Sequence, residues 1–228
     1  MLEKLTIAWT WTTDRLHWVG PAVALLGLRL IMAWEYGEAG FEKLHGNNWF
    51  SHIHDSFPFP FTVLPADVSW FIATWAEIIA AFALALGLFT RFWAFTLLIL
   101  TTVAVFAVHW PDNWNSLAEL WQGYAISNDG YGNFKLPLLF MLILLPLVFI
   151  GPGRFSLDAL LRHKVLGTDP QPRGGLAAGG LTLLVIGVPL LFVMPRTALA
   201  LTLPGIALVA VELFRQRSQP VASQALDE

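Results

Sequence analysis

The sequence predicts an all-α integral membrane protein with six transmembrane helices. Two features of the composition support this prediction: 56% of the 228 residues are hydrophobic, and only 13% are charged. An ordinary soluble domain has about 25% charged residues, so this chain lacks the polar residues that would cover a water-soluble surface. The third observation is that the apolar residues fall into six runs, each close to the ~17–25 residues that cross a bilayer as a helix.

The first four apolar runs predict a membrane core that spans residues 21–165. They lie at residues 21–36, 68–88, 92–109 and 136–151. Pro21 suits the first turn of a helix, and Asp67 is placed to cap the second span. The Gly-Pro-Gly sequence at 151–153 is typical of a helix end. We therefore expect four membrane helices in this part of the chain.

The remaining two runs predict a C-terminal hairpin within residues 166–214. Its spans, 176–194 and 197–214, are separated by little more than Pro195 and Arg196. Residues 215–228 are polar and are expected to form a disordered tail. Residues 1–20 contain three tryptophans and no signal-peptide cleavage pattern, so we expect a segment that lies in the membrane interface.

The distribution of Lys and Arg predicts that both termini are cytoplasmic. With this orientation nine of the thirteen basic residues lie inside, three lie outside and Arg29 lies within the first span. The inner residues are Lys4, Arg15, Arg91, Arg154, Arg162, Lys164, Arg173, Arg215 and Arg217, and the outer ones are Lys43, Lys135 and Arg196. Two long outer loops follow, at 37–67 and 110–134.

The composition also excludes several functions. The chain has no cysteine, which removes disulfides, thiolate metal sites, iron–sulfur clusters and cysteine nucleophiles. Its net charge of −3, with no basic run, argues against nucleic acid as a partner. Nucleotide-binding and hydrolase motifs are also absent from the sequence.

Two charged residues within the predicted spans are the first candidates for a functional site. Arg29 and Glu77 are expected at matching depths, roughly 10–14 Å below the outer boundary at 1.5 Å per residue. Since charges inside a membrane are normally paired or face a cavity, we expect the two side chains to contact each other. The contact would either fix the helix register or form the polar floor of a cavity that binds a proton or an anionic or quinone-like head group.

Outer-face histidines and carboxylates suggest a second kind of site, one that binds metal. Helical spacing aligns Glu35, Glu38, Glu42 and His45 on one stripe, which is either a solvated face or a set of ligands. His52 and His54 flank Ile53 and would face one side of an extended segment. They could join His45 or His109, and Glu42, as ligands for copper, iron or haem.

Residues 56–61 alternate Phe and Pro, which predicts a stiff apolar segment in the first outer loop. Phe57 and Phe59 belong to this segment. It would lie over the outer mouth of the helices and cover a pocket for a flat aromatic or isoprenoid ligand.

The chain resembles the DoxX-like family of small bacterial membrane proteins in three stretches. The first is Leu28-Arg29-Leu30 followed by Gly40-Phe41-Glu42-Lys43-Leu44, and the second is Ala76-Glu77 followed by Leu86-Gly87-Leu88-Phe89-Thr90-Arg91. The third is Gly151-Pro152-Gly153-Arg154-Phe155-Ser156-Leu157-Asp158. The resemblance covers residues 22–161. The long first loop and residues 110–114 look more like a subgroup associated with the maturation of metal-binding peptides.

The resemblance implies a four-helix bundle in the bacterial inner membrane, to which this chain adds its hairpin. It also implies that Arg29, Lys43 and Glu77 are functional candidates and that residues 151–158 form a structural helix stop. We expect a redox subunit that links a protein partner at the outer face to the quinone pool. Arg29 and Glu77 would bind or protonate the quinone, and His109 or Lys43 would complete the pocket.

One alternative is a non-enzymatic protein that handles metal or anchors a peptide-maturation complex through His45, His52 and His54. A small transporter ranks third, because no inverted repeat is visible in the sequence.

Overall fold

The computed structural model describes residues 2–111, 113–127, 130, 132–167 and 174–218. All regular structure in these ranges is helical. The α-helices are α1 (Leu2–His45), α2 (Ala66–Leu86), α3 (Thr90–Ala104), α4 (Leu117–Gln122), α5 (Lys135–Phe149), α6 (Leu157–Leu166), α7 (Leu176–Leu190) and α8 (Pro195–Ser218). A π-helical turn, Val105–His109, continues α3, and two 3₁₀ turns lie at Phe50–His52 and His54–Ser56. The predicted all-helical class is confirmed.

The chain divides into two compact units, residues 1–169 and 170–228. In the first unit α1, α2, α3 and α5 form a four-helix bundle, in which each helix packs against two neighbours. Its core consists of side chains that are fully or almost fully buried, among them Met32, Leu84, Leu97, Leu144 and Leu147. The loop at 46–65 and the described residues between 110 and 134 lie at one end of this bundle, which we call the loop end. The α2–α3 turn and the 150–156 segment lie at the other, which we call the turn end.

The first helix is longer than the sequence predicts. It runs without a break for 44 residues and contains Pro21. The start predicted at Pro21 is therefore wrong: this proline lies inside the helix, where it has no N–H to donate to the carbonyl four residues earlier. The interfacial position of residues 1–20 remains a prediction.

The second helix begins two residues earlier than predicted. Pro65 occupies its N-cap position, so Asp67 lies in the first turn and is not the cap. The Asp67 carboxylate instead accepts a hydrogen bond from Asn48 Nδ2 at 2.6 Å, which ties the helix start to the preceding loop. A carboxylate in the first turn also interacts favourably with the helix dipole.

The 151–158 segment closes the turn end of the bundle, as the sequence predicts for a helix stop. Gly151 and Gly153 both have positive φ, which favours glycine. Ser156 then caps α6, because its Oγ accepts from the backbone N–H of Ala159. Asp158 accepts from the N–H groups of Phe89 and Thr90 at 2.8 and 2.9 Å, so it caps α3.

The second unit contains the predicted hairpin. Helices α7 and α8 pack along each other and are joined by residues 191–194. Gly180 and Gly205 allow this close contact, since a Cβ built on Gly180 would lie 2.6 Å from the Gly205 carbonyl oxygen. The prediction of a disordered tail at 215–228 falls mostly outside the described residues; the part that is described, 215–218, is helical.

Four helical stretches of the described chain are long and apolar enough to cross a membrane: Lys4–His45, Ala66–Leu86, Thr90–His109 and Pro195–Gln216. Two shorter apolar helices, Lys135–Phe149 and Leu176–Leu190, coincide with the fourth and fifth predicted spans. The protein is therefore a multi-pass membrane protein. The count of six spans and the orientation of the termini remain predictions.

Candidate functional site

An ion pair joins α1 and α2 in the half of the bundle nearer the loop end. Lys43 Nζ donates to Glu77 Oε2 at 2.8 Å, and the two side chains are only 16% and 5% exposed. Gly40, one turn before Lys43, makes this approach possible: a Cβ at Gly40 would lie 2.7 Å from Ile78 Cγ1. The spacing Gly-x-x-Lys thus places a close helix contact and a cation on the same face of α1.

The predicted contact between Arg29 and Glu77 is wrong. Arg29 is fully buried at the turn end, where its guanidinium donates to the carbonyl oxygens of Leu84 and Phe155. The guanidinium occupies the space that a Cβ on Gly87 would need. Gly87 also has a φ of 67°, a backbone conformation that favours glycine. Gly87 follows Glu77 by ten residues, which is roughly 15 Å along α2 at 1.5 Å per residue. Arg29, which lies beside Gly87, is therefore separated from Glu77 by about that distance along the helix.

The reason for this error is the position assigned to the outer membrane boundary. The prediction placed that boundary near Tyr36, with the helix continuing toward Leu44 outside the core, whereas α1 and α2 remain packed together past Gly40. Arg29 therefore lies deeper than expected. It holds the α2–α3 turn against the 151–158 segment, and Asp158 supplies a nearby negative charge.

The Lys43–Glu77 pair borders a cavity of about 350 Å³, which we call the main cavity. Most of its wall is apolar, and its polar side chains include Ser69 and His109. The lining residues are Lys43, Trp49, Phe50, Phe57, Phe61, Ser69, Ile72, Ala73, Ala76, Glu77, Thr96, Ile99, Leu100, Val103, Ala104, Val108 and His109. Ser69 Oγ is buried and has no hydrogen-bond partner in the described part of the chain.

The first loop covers the main cavity with aromatic side chains. Phe50 and Phe57 are both buried, and their ring centroids lie 4.9 Å apart. Phe50 also packs edge-on against Trp70 of α2, with the centroids 5.1 Å apart. Phe59 does not take part: it is 76% exposed and lies outside the cavity wall. The structure thus brings Phe57, and not Phe59, to the site.

His109 is placed by the π-helical turn that ends the third span. The N–H of Trp110 bonds to the Val105 carbonyl at 2.7 Å, and such turns occur frequently at functional sites. His109 Nδ1 donates to the side-chain oxygen of Asn133 at 2.5 Å, while the Asn133 N–H donates to the His109 carbonyl at 3.0 Å. This double contact fixes the ring and leaves Nε2 as the remaining polar atom of the imidazole.

A second cavity of about 270 Å³ lies on the other side of Glu77 and His109, and we call it the second cavity. Glu77, His109, Leu100 and Ala104 line both cavities, whereas Lys43 lines only the main one. The other lining residues are Glu35, Tyr36, Ala39, Thr101, Ala125, Ile126, Asn133, Leu136, Pro137 and Phe140.

The predicted metal ligands do not come together as a set. His45 Nδ1 bonds to the Phe41 carbonyl of its own helix at 2.9 Å, and His54 Nε2 bonds to the Leu64 carbonyl at 2.7 Å. His52 and Glu42 are exposed. Within the described ranges, no group of three or more His, Asp or Glu side chains could hold a metal ion. Metal binding by these residues remains a prediction.

Several residues of the site were not predicted from the sequence. Ser69, Tyr36, Thr101 and Asn133 are single polar residues in apolar helices or in a loop, and no motif marks them. Phe50 lies near the noted Phe/Pro segment, but only the folded loop shows that it packs against Phe57.

Comparisons with known proteins agree with the motifs. The DoxX family model matches residues 24–110, which include Arg29, Lys43, Glu77 and His109. An uncharacterized protein of Haemophilus influenzae is 42% identical over 148 residues, which cover 65% of this chain and 89% of that relative. No solved structure matches the chain. The family match and the extent of the shared sequence establish that the chain belongs to the DoxX family.

Proposed function

We propose that this protein is a membrane redox subunit that binds the head group of an isoprenoid quinone in the main cavity. In this role it links an electron-donating protein at the outer face to the quinone pool. One observation carries the proposal: an apolar cavity of about 350 Å³ contains a buried Lys43–Glu77 pair, with His109 in the same wall.

The residues of the main cavity fit such a ligand. Its volume lies in the range of ~300–1,000 Å³ that is usual for small-molecule sites, and such sites combine apolar walls with a few placed polar groups. Ser69 Oγ gives a further test of fit, because a buried hydroxyl without a partner is uncommon and a ligand oxygen would satisfy it. Phe50 and Phe57 offer flat apolar surfaces for a ring.

A quinone accepts two electrons and two protons, which convert its ring carbonyls to hydroxyls. Lys43 is placed to donate a hydrogen bond, and then a proton, to a ligand oxygen because its ammonium lies at the cavity wall. Glu77 holds that ammonium in place through the 2.8 Å contact. His109, oriented by Asn133, offers Nε2 as a second group that can hold or give a proton.

Arg29 has no part in this proposal, since it is buried at the turn end and bonds to backbone carbonyls there. Its proposed role is to hold the α2–α3 turn and the 151–158 segment together. The predicted site is thereby reduced to Lys43, Glu77, His109 and Phe57, with Ser69 added.

We also propose six spans, cytoplasmic termini and a place in a bacterial inner membrane. The excess of basic residues on the predicted inner side supports this orientation. The loop end of the bundle would then face outward and carry the surface for the electron-donating partner.

The experiment is to purify the protein from membranes, extract bound quinone, and measure copper, iron and the absorption spectrum. Quenching of tryptophan fluorescence measures the binding of decylubiquinone to the wild type and to two variants. Ala76→Leu fills the main cavity, whereas the control Glu38→Gln alters an exposed residue of α1. We expect bound quinone, and affinity lost only in Ala76→Leu. A preparation with no quinone affinity but with copper or iron bound in a fixed ratio would instead support the metal-handling alternative.

A further inference from the structure

Glu77 and His109 stand between two cavities whose walls are both mostly apolar. The main cavity is bordered by aromatic side chains of the first loop. The second cavity contains Glu35, Tyr36 and Asn133 and is bordered by Ala125 of the second loop. Because Lys43 lines only the main cavity, the order of groups from the second cavity to the main one is Glu77 and then Lys43.

Two hydrogen bonds of residues that line the second cavity, Tyr36 and Thr101, have a defined direction. The Thr101 hydroxyl donates its only proton to the Leu97 carbonyl at 2.7 Å. The contact between Tyr36 and Thr101 therefore uses the Tyr36 proton, so Tyr36 is the donor and its oxygen keeps its acceptor capacity. That oxygen can accept a hydrogen bond from water in the cavity and so hold the water near Glu77.

We infer that the second cavity is the proton entrance that recharges the Lys43–Glu77 pair from the side opposite the bound ligand. This inference rests on the proposed function. When Lys43 gives a proton to a ligand oxygen, the pair is left as a neutral amine beside a carboxylate. A proton from water in the second cavity binds Glu77 and passes to Lys43, which restores the ammonium. The two electrons come from the outer-face donor protein, and two cycles of this transfer supply the two protons that convert both ring carbonyls to hydroxyls, so the charges balance.

The described groups around the pair suit this direction of transfer. The titratable groups that line either cavity are Glu35, Tyr36 and Lys43 on α1, Glu77 on α2 and His109 in the π-helical turn that continues α3, whereas α5 contributes Leu136, Pro137 and Phe140. Glu35 is half-buried and brings negative charge to the second cavity, which favours the entry of protons there.

The first test asks whether water reaches the second cavity in the ligand-free protein. The natural chain has no cysteine, so single cysteines can be introduced without background. Ala39→Cys places a thiol in the second cavity, and Ala76→Cys places one in the main cavity. We expect a charged methanethiosulfonate reagent to label Ala39→Cys in membrane vesicles much faster than Ala76→Cys. Equal protection of both thiols would overturn the inference.

The second test measures binding and proton delivery separately. Decylubiquinone is bound to the wild type, Ala39→Leu, Glu35→Gln and the matched control Glu38→Gln, and its reduction by dithionite is followed by stopped flow in H₂O and D₂O. We expect unchanged quinone affinity in all four proteins. Reduction should slow by about tenfold or more in Ala39→Leu, since a positioned acid contributes roughly 10²–10⁴-fold to a proton-limited step. Glu35→Gln should also slow the reduction of decylubiquinone and should show a larger solvent isotope effect than the wild type.

The outcomes distinguish the two proposals. Absence of decylubiquinone binding in the wild type would refute the proposed function. Normal binding combined with equal reduction rates in Ala39→Leu, Glu35→Gln and Glu38→Gln would leave the proposed function standing and refute the proton entrance. Glu35→Gln is nearly isosteric, so it keeps the test valid if Ala39→Leu folds poorly.

Discussion

Removal of Lys43 alone should destabilise the protein strongly, because it leaves a buried carboxylate without its partner. Glu77 is 5% exposed and its Oε2 accepts from Lys43 at 2.8 Å. Loss of one member of a buried ion pair typically costs about 3–5 kcal/mol in free energy of unfolding. Lys43→Met should therefore lower folded yield and thermal stability, whereas Glu38→Gln on the same helix should leave both unchanged.

The double variant Lys43→Met, Glu77→Leu separates stability from function. A well-packed apolar pair can match a buried ion pair in stability, so the double variant should regain folded yield and thermal stability. Its affinity for decylubiquinone should remain lower by about tenfold or more, the value of a charged hydrogen bond. Stability is measured by thermal unfolding in detergent and affinity by fluorescence quenching. Recovery of full quinone affinity in the double variant would refute the reasoning and reduce the pair to a helix-register contact.

Three further predictions rest on the positions of side chains in the structure, and a fourth rests on the distribution of basic residues. Arg29→Leu should lower thermal stability, because the buried hydrogen bonds of Arg29 hold the turn end together. The quinone affinity of the folded fraction should equal that of the wild type, and a selective loss of affinity would contradict this prediction. Gly40→Leu should push α1 away from α2 and weaken both stability and quinone binding, and unchanged values would show that the close contact is dispensable. The double variant His52→Ala, His54→Ala should keep quinone binding, and loss of bound copper or iron together with all function would favour metal handling. Reporter fusions at the C-terminus and within 113–127 should report the cytoplasm and the outer side, respectively; an outer C-terminus would refute the orientation.

The helices of the bundle and of the hairpin were predictable because they follow from local patterns, whereas the short helices α4 and α6 were not predicted. The apolar runs, together with the glycines and prolines near their ends, predicted the four core helices and the hairpin, and the family resemblance implied that the four form a bundle. The Gly-Pro-Gly segment predicted the stop after α5. The same local rules misplaced the start of α1, because hydropathy marks the apolar part of a helix and not the polar turns that extend it.

The site was predicted only in part, because its assembly depends on the register between helices. Hydropathy suggested equal depths for Arg29 and Glu77, but the contact at Gly40 shifts α1 along α2 and pairs Glu77 with Lys43. Asn133 is even less predictable. Its contact with His109 joins the start of α5 to the end of the third span across a loop of more than twenty residues.

The most direct test of a quinone site in the main cavity is photoaffinity labelling with an azido-quinone, followed by mass spectrometry of the labelled peptides. We expect labels on residues that line only the main cavity, such as Ile72 and Ile99, and protection of these residues by excess decylubiquinone. Ala76→Leu should remove the protected label, and Glu38→Gln should retain it. Labels confined to exposed helix faces, without protection by decylubiquinone, would contradict the account.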